Sequence, residues 1–126
     1  MIRSIGFPVT ILRAIERQML QAIHAKKDWR LDNTEVKVTY FAHADKPIER
    51  INVYLHGNPI AQIDNNVVEV CDCGWDTPTT KSRLNVILHE FCKAGIYQKK
   101  HRWYSVSCEE PDRELETNTK YTFARI

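Results

Sequence analysis

The segment Gly74-Trp75-Asp76-Thr77-Pro78-Thr79-Thr80-Lys81-Ser82-Arg83-Leu84-Asn85 joins an extended stretch to a helix, and the rest of the chain is organised around it. Pro78 suits the first helical position, where the backbone N–H has no partner, and Thr77 suits the N-cap before it. The first turns contain Lys81 and Arg83 but no acidic residue, although a helix N-terminus favours negative charge. Free backbone N–H groups, hydroxyl groups and two cations suit an anion, so the segment predicts a phosphate-binding site.

The predicted ligand-binding residues fall in two groups that are separate in sequence. They are Thr79, Thr80, Lys81, Ser82 and Arg83 at the helix start, and Lys99, Lys100, Arg102 and Trp103 in a basic hairpin. Cations beside an aromatic ring are typical of surfaces that bind nucleic acids, because the cations meet phosphates and the ring stacks on bases. In the alternative interpretation, the threonines only cap the helix and the cations only face solvent. The sequence does not tell whether the two groups are neighbours.

Length and composition indicate one domain, residues 1–126, with a real core. Of the 126 residues, 43% are hydrophobic and 27% are charged, as in soluble globular proteins. No apolar run approaches the length of a membrane span, and the segment Met1–Pro8 is too short and too broken for a signal peptide. We therefore expect a cytosolic protein that does not interact with a membrane.

Charge is segregated along the chain, although the net charge is only +2. From Lys81 to Trp103 six cations accompany the single acid Glu90, whereas from Glu109 to Glu116 five acids accompany the single cation Arg113. Such segregation can steer a charged partner to one face, or it can simply reflect solvated surfaces. Residues 109–119 also contain Pro111, and we expect them to form a mobile acidic loop.

Hydrophobic periodicity predicts an α+β fold. A helix over residues 8–29 is indicated by Ile11, Ile15, Met19 and Ile23, and a second helix over 78–93 is indicated by Leu84, Ile87, Leu88 and Phe91, with Gly95 as the residue that ends it. Strands are predicted at 34–41, 50–55, 60–63, 67–71, 96–98, 103–106 and 120–125. Residues 56–59 form either a tight hairpin or a bulge within a long strand. The expected architecture is an antiparallel sheet of four to five strands with both helices packed on one face. The order of helix, three-stranded antiparallel sheet and helix is also that of double-stranded-RNA-binding domains, but the elements after Gly95 have no counterpart there.

Catalytic and metal-binding motifs are absent from the sequence. The histidines are scattered, and there is no zinc-protease helix, phosphate-binding glycine loop or nucleophile elbow. Cys71 and Cys73, read as reduced thiols like Cys92 and Cys108, could begin a zinc site with those cysteines, His89 or His101, but the spacing matches no known module. His56, Asp72 and Asp76 could converge on a divalent ion, or they could serve only the turns that contain them. We expect no cofactor, no bound metal and no enzymatic activity.

Two tryptophans end predicted elements. Trp29 and Trp75 are interpreted as lids that close the core, with a stacking platform as the alternative.

Several segments resemble a set of small proteins encoded by tailed bacteriophages. They are residues 25–29, 33–36, 53–61, 74–85 and 97–104, and the Thr79-Thr80-Lys81-Ser82-Arg83-Leu84-Asn85 element is the most specific of them. The resemblance covers most of residues 11–106 but not the Cys71/Cys73 pair. It implies a viral origin, the host cytoplasm as the setting, and action by binding nucleic acids, nucleotides or a host protein.

The leading hypothesis is a non-enzymatic phage accessory protein that binds a phosphate-bearing ligand, either a nucleic acid or a nucleotide. The second is a protein–protein inhibitor of a host defence or metabolic protein, in which the acids of Glu109–Glu116 mimic nucleic acid toward a basic partner. The third is a metal-dependent enzyme using His56, Asp72 and Asp76.

Overall fold

A computed structural model describes residues 12–43, 46–107 and 110–126, without the side chains of residues 41–48. These residues form two helices and two antiparallel sheets. The elements in order are α1 Ala14–Ala25, β1 Trp29–Leu31, β2 Thr34–His43, β3 Lys46–Leu55, β4 Asn58–Ile63, β5 Val67–Val70, α2 Pro78–Cys92, β6 Ala94–Lys99, β7 Arg102–Ser107, β8 Arg113–Leu115 and β9 Tyr121–Ala124. No helix among the described residues is long and apolar enough to cross a membrane.

The α+β class is confirmed, but the predicted single sheet of four to five strands is wrong. The larger sheet has six strands in the order β1-β2-β3-β4-β5-β9, and β6, β7 and β8 form a second sheet. The second sheet separates from the first because β6 follows α2 directly and is bonded to it: the Asn85 Oδ1 atom accepts the Ile96 N–H at 2.6 Å. The polypeptide returns to the first sheet only at β9, which pairs with β5.

Tight turns set the registers of the first sheet. His56 and Gly57 both have positive φ, at 50° and 79°, which is the geometry of a two-residue hairpin whose twist matches its strands. The β3–β4 ladder also shifts register between Val53 and Tyr54, so residues near 56–59 form a hairpin and a nearby bulge. The β2–β3 ladder runs over the full ten residues of each strand.

Helix α1 is shorter than predicted, since it ends at Ala25 and Lys26 adopts a left-handed conformation with φ 54°. Residues 27–31 then turn back into β1, a strand that the sequence analysis missed; residues 8–11 of the predicted helix lie outside the described residues. Helix α2 agrees closely with its prediction, and Thr77 is its N-cap. Its left-handed residue is Lys93, however, and Gly95 lies within β6.

The core lies between the two helices and one face of the six-stranded sheet. Met19 and Ile23 of α1 and Ile87 and Leu88 of α2 are buried there against Val53, Ile63 and Val68 of the strands. Each such side chain contributes about 1.5–3 kcal/mol by burial. The opposite sheet face is polar and carries a hydrogen-bonded row of Thr39, Asn52 and Gln62.

The acidic segment is not wholly a loop, which corrects the expectation for residues 109–119. Arg113–Leu115 pairs with β7 as β8, while Glu109 lies outside the described residues. The following turn is bonded to the segment before α2, because Asp72 Oδ1 accepts the Asn118 N–H at 2.6 Å and the Thr117 hydroxyl at 3.2 Å.

Candidate functional site

Arg83, predicted to meet a phosphate, lies in the protein interior. Its side chain is 4% exposed and its Nη1 atom is 2.8 Å from Oε2 of Glu16, which is 0% exposed. The Arg83 Nε–H also donates to Thr34 Oγ1 at 3.1 Å, so one guanidinium joins α1, α2 and β2. A dissolved anion cannot reach this cation unless the buried ion pair breaks.

The hydroxyl groups of the helix start are also bonded to protein atoms. Thr77 Oγ1 accepts the Thr80 N–H at 3.2 Å and lies 2.9 Å from the Thr80 hydroxyl, which is buried. Ser82 Oγ donates to Glu16 Oε2 at 2.5 Å. Thr79 is half-buried and lines a groove with His56, Asn58 and Trp75. The structure therefore gives Thr80, Ser82 and Arg83 roles in capping the helix and holding it to its neighbours.

Lys81 differs from Arg83, because it points toward the second sheet. Its Nζ atom lies 2.8 Å from the centroid of the Trp103 ring and 3.2 Å from Asp76 Oδ1, and its side chain is 18% exposed. The helix start and the hairpin strand β7 are thus in direct contact through two of the predicted residues, Lys81 and Trp103.

The other hairpin cations lie near Trp103 without joining it. Lys99, Lys100 and Arg102 are exposed, and Lys100 and His101 form the turn with φ values of 51° and 66°. Side chains alternate along a strand, so Arg102 faces away from Trp103, and its Nη1 atom is 3.3 Å from Glu114 Oε1.

On that outer face of the second sheet, the Tyr97 and Tyr104 rings stack with centroids 5.4 Å apart. The Tyr97 hydroxyl donates to Asp112 at 2.7 Å, and this hydrogen bond raises the pKa of Tyr97.

An open cleft lies where the helix start, the second sheet and the turn after β8 meet, and we call it the Trp cleft. Its cavity volume is about 40 Å³, and its walls are mostly apolar; they include Val70, Trp75, Asp76, Lys81, Leu84, Ile96, Trp103, Leu115, Glu116 and Tyr121. Trp75 is 60% exposed at the rim, which corrects its interpretation as a lid on the core. Trp29, in contrast, is half-buried and packs against the core.

The charge of the Trp cleft is acidic. The carboxylates of Asp72, Asp76 and Glu116 line it, against the single ammonium of Lys81. Asp72 accepts hydrogen bonds from the backbone N–H groups of Gly74, at 2.9 Å, and Asn118, and from the Thr117 hydroxyl. Asp76 pairs only with Lys81 among the described residues and is exposed, so its carboxylate faces the opening.

The indole N–H of Trp103 has no acceptor. The Nε1 atom is buried and makes no hydrogen bond to any part of the chain that the structure describes. An orphaned buried donor costs about 1–3 kcal/mol of stability. Trp103 therefore contributes its π face to the Trp cleft, whereas its N–H is buried.

The candidate metal ligands are engaged in other ways. His56 and Asp72 line the groove that contains Thr79, whereas Asp76 is bonded to Lys81. Residues 12–43, 46–107 and 110–126 contain no group of three or more histidine, cysteine or acidic side chains arranged to hold a metal ion.

The Cys71/Cys73 pair belongs to the segment before α2. The Cys73 N–H donates to Cys71 Sγ at 3.2 Å, and the Cys73 thiol donates to the Pro59 carbonyl at 3.2 Å. Burial, together with the neighbouring Cys71 thiol and Asp72, raises the pKa of Cys73 to about 11. Cys73 is therefore a thiol at neutral pH, and Cys108 lies outside the described residues.

Comparison with known proteins places the chain in a phage family. The model of the family described as the Kyanoviridae Gp96 protein matches residues 12–124. The chain belongs to this family. Membership in the Kyanoviridae Gp96 family confirms the expected phage origin, and the match includes α1, α2 and every strand of both sheets. No curated protein and no solved structure matches the chain.

The sequence analysis named Trp103 as a ligand-binding residue and Trp75 as an alternative stacking platform, but it did not name Glu116 or Tyr121 as ligand-binding residues. Asp76 was considered only as a metal ligand, and Glu116 and Tyr121 were assigned to a loop and a separate strand.

The sequence does contain a signal that a cation of α2 is buried, because Glu16 falls on the apolar stripe of α1 with Met19 and Ile23. A buried carboxylate needs a buried cation, and the cations of α2 were the candidates.

Proposed function

We propose that this phage protein acts by binding a basic segment of a host protein at the Trp cleft, without catalysis. One observation carries the proposal: Trp75 stands 60% exposed at the rim of an apolar cleft whose charged lining is acidic. Exposed tryptophans surrounded by apolar walls are typical anchors of protein interfaces, because their burial stabilises the complex strongly.

The charges favour a basic partner over a phosphate. Asp76 and Glu116 are exposed and line the Trp cleft. A phosphate in the Trp cleft would meet these carboxylates, and Arg83 is committed to Glu16. The phosphate-binding hypothesis stays a prediction for the exposed hairpin residues Lys99, Lys100 and Arg102.

The test is capture of a protein from host lysate, after nuclease digestion, on the immobilised chain and two variants. We expect a stoichiometric protein partner that the unmodified chain and Tyr40→Ala retain and that Trp75→Ala loses. Tyr40 is a matched control, because it is an exposed aromatic residue, 63% accessible, on the distant strand β2.

Three results would overturn this function. They are loss of the partner on nuclease digestion, which would indicate nucleic-acid binding; equal capture by Trp75→Ala; and no stoichiometric capture by any form of the chain.

A further inference from the structure

Lys81 already occupies a cation site in the Trp cleft. Its ammonium lies 2.8 Å from the Trp103 ring centroid and 3.2 Å from Asp76 Oδ1, so one face of the cation meets a π system and the other meets a carboxylate. A π face combined with a carboxylate is a general recognition site for ammonium and guanidinium groups. Tyr121, which also lines the cleft, has the Arg113 guanidinium 4.8 Å from its ring centroid.

The position of Lys81 near the N-terminus of α2 disfavours its positively charged ammonium group. Lys81 follows Pro78, Thr79 and Thr80 in the first turn, which contains no acidic residue. The N-terminus of a helix repels a cation, so the contacts with Asp76 and Trp103 hold the ammonium against an unfavourable local field. A lysine stem is unbranched and flexible, and its head can move into water when another cation takes the site.

We infer that Lys81 is an internal competitor that holds, in the free protein, the site that an arginine side chain of the partner takes in the complex. The inference rests on the proposed function and names the chemistry of its ligand. Arginine suits the site better than lysine because its planar guanidinium stacks on indole and bonds a carboxylate with two N–H groups. Trp75 supplies an exposed ring at the rim.

The experiment titrates the protein with the peptide acetyl-Gly-Arg-Gly-amide and follows tryptophan fluorescence. Lys81→Met removes the competing charge and keeps the length of the stem. We expect it to bind the peptide about tenfold more tightly than the unmodified chain, because a ligand no longer has to displace the internal cation. Lys93→Met is the matched control, since it removes the same charge from the exposed end of α2, and we expect a change of less than about twofold.

Asp76→Asn completes the design. It neutralises the carboxylate of the cation site, and we expect peptide binding about tenfold weaker than in the unmodified chain. Circular dichroism and urea denaturation of each variant verify that the fold is kept.

Two outcomes would overturn the inference. One is weaker or unchanged peptide binding by Lys81→Met, which would make Lys81 a ligand residue or a bystander. The other is no peptide binding by any variant while Trp75 remains necessary for capture of the host protein; then the proposed function stands and the role of Lys81 falls. If Trp75→Ala captures the host protein as well as the unmodified chain does, the proposed function itself is overturned.

Discussion

Arg83 and Glu16 form an ion pair that is shielded from water on both sides. Glu16 receives the Arg83 guanidinium, the Ser82 hydroxyl and the Arg13 N–H, so its two oxygens are bonded to three donors. This arrangement explains why a helix start with no acidic residue carries an arginine, since the compensating carboxylate comes from the other helix. The sequence contained both charges but not their distance, because residues 16 and 83 are brought together only by the packing of α1 on α2.

Removal of one member of this pair should be severe. We expect Arg83→Met to lower the free energy of unfolding by about 3–5 kcal/mol, because the Glu16 charge would remain buried without a counterion. Urea denaturation measures the change. Arg17→Met, an exposed arginine of α1, serves as the control and should change stability by less than about 0.5 kcal/mol. A double variant that also carries Glu16→Met should recover most of the loss. Equal stability of Arg83→Met and Arg17→Met would contradict the interior placement of the pair.

Two thiols make stability sensitive to alkaline pH. Burial raises the pKa of Cys92 from 9.0 to about 11, and Cys73 is raised to about 11 by burial and its neighbours. Above pH 9.0 the unfolded chain releases these protons before the folded chain does, so the free energy of unfolding falls as pH rises toward 11. The stabilisation is complete below pH 9.0 and is lost as the pH rises through about 11. Denaturation midpoints across this window, compared between the unmodified chain and Cys73→Ala/Cys92→Ala, should diverge; parallel curves would show that the thiols do not contribute.

At the scale of elements, the segment between β5 and α2 forms one wall of the Trp cleft and the turn after β8 forms another. Asp72 joins them, since a single Oδ1 atom accepts hydrogen bonds from Gly74, Thr117 and Asn118. The shape of the cleft therefore depends on the hydrogen bonds that Asp72 accepts from its own chain.

Asp72→Ala should open this junction. We expect a loss of about 1–3 kcal/mol in unfolding free energy and faster amide hydrogen exchange at Gly74 and Asn118, because those donors lose their acceptor. Asp64→Ala is a matched control: Asp64 Oδ1 also accepts two turn N–H groups, from Asn66 and Val67, but in a hairpin remote from the Trp cleft. Asp64→Ala should cost similar stability and leave host-protein capture intact. Capture that survives Asp72→Ala as well would separate the proposed site from this junction.

The elements differ in how far the sequence determines them. Helix α2 was predictable almost to the residue, because Thr77 and Pro78 define its start and a regular stripe continues to Phe91. Helix α1 was overextended, since nothing in Ala25-Lys26-Lys27 announces that Lys26 adopts a left-handed conformation. Strands β1 and β8 have three residues each, too few for a period to appear. The hydrogen bond from Ile96 to Asn85, which joins β6 to α2, is a contact that periodicity does not encode.

The candidate site was less predictable than the fold. Lys81 and Trp103 were named in separate groups, and the structure brings them together. By residue type, Arg83 and Ser82 were as plausible as Lys81. Successive residues of an α-helix point about 100° apart, however, and the side chains of Arg83 and Ser82 point toward α1 rather than toward the second sheet. Residue type and spacing therefore identified the right element, while the direction of each side chain required the packed molecule.

At the scale of the whole molecule, net charge conceals the character of the Trp cleft. The chain carries +2 overall, whereas Asp76 and Glu116, both exposed, line the cleft. A local acidic field can raise the association rate of a basic partner even when the net charge is slightly positive.

Charge reversal tests this field. We expect Glu116→Lys to slow association with the captured host protein by about tenfold at low salt, and the difference to shrink as salt is added, because screening weakens interactions beyond about 10 Å. Surface plasmon resonance measures both rates. Glu90→Lys, near the far end of α2, is the control and should leave the association rate nearly unchanged. Acceleration by Glu116→Lys would mean that the partner surface is acidic.

The most direct measurement is an NMR titration of the indole N–H signals of the three tryptophans, Trp29, Trp75 and Trp103. On addition of the arginine-bearing peptide, the account predicts that the Trp75 and Trp103 signals shift while Trp29, which packs against the core, stays in place. If the peptide leaves all three unchanged and a single-stranded oligonucleotide instead shifts Trp103 with the amides of Lys99, Lys100 and Arg102, the acidic cleft is not the binding site and the basic hairpin is.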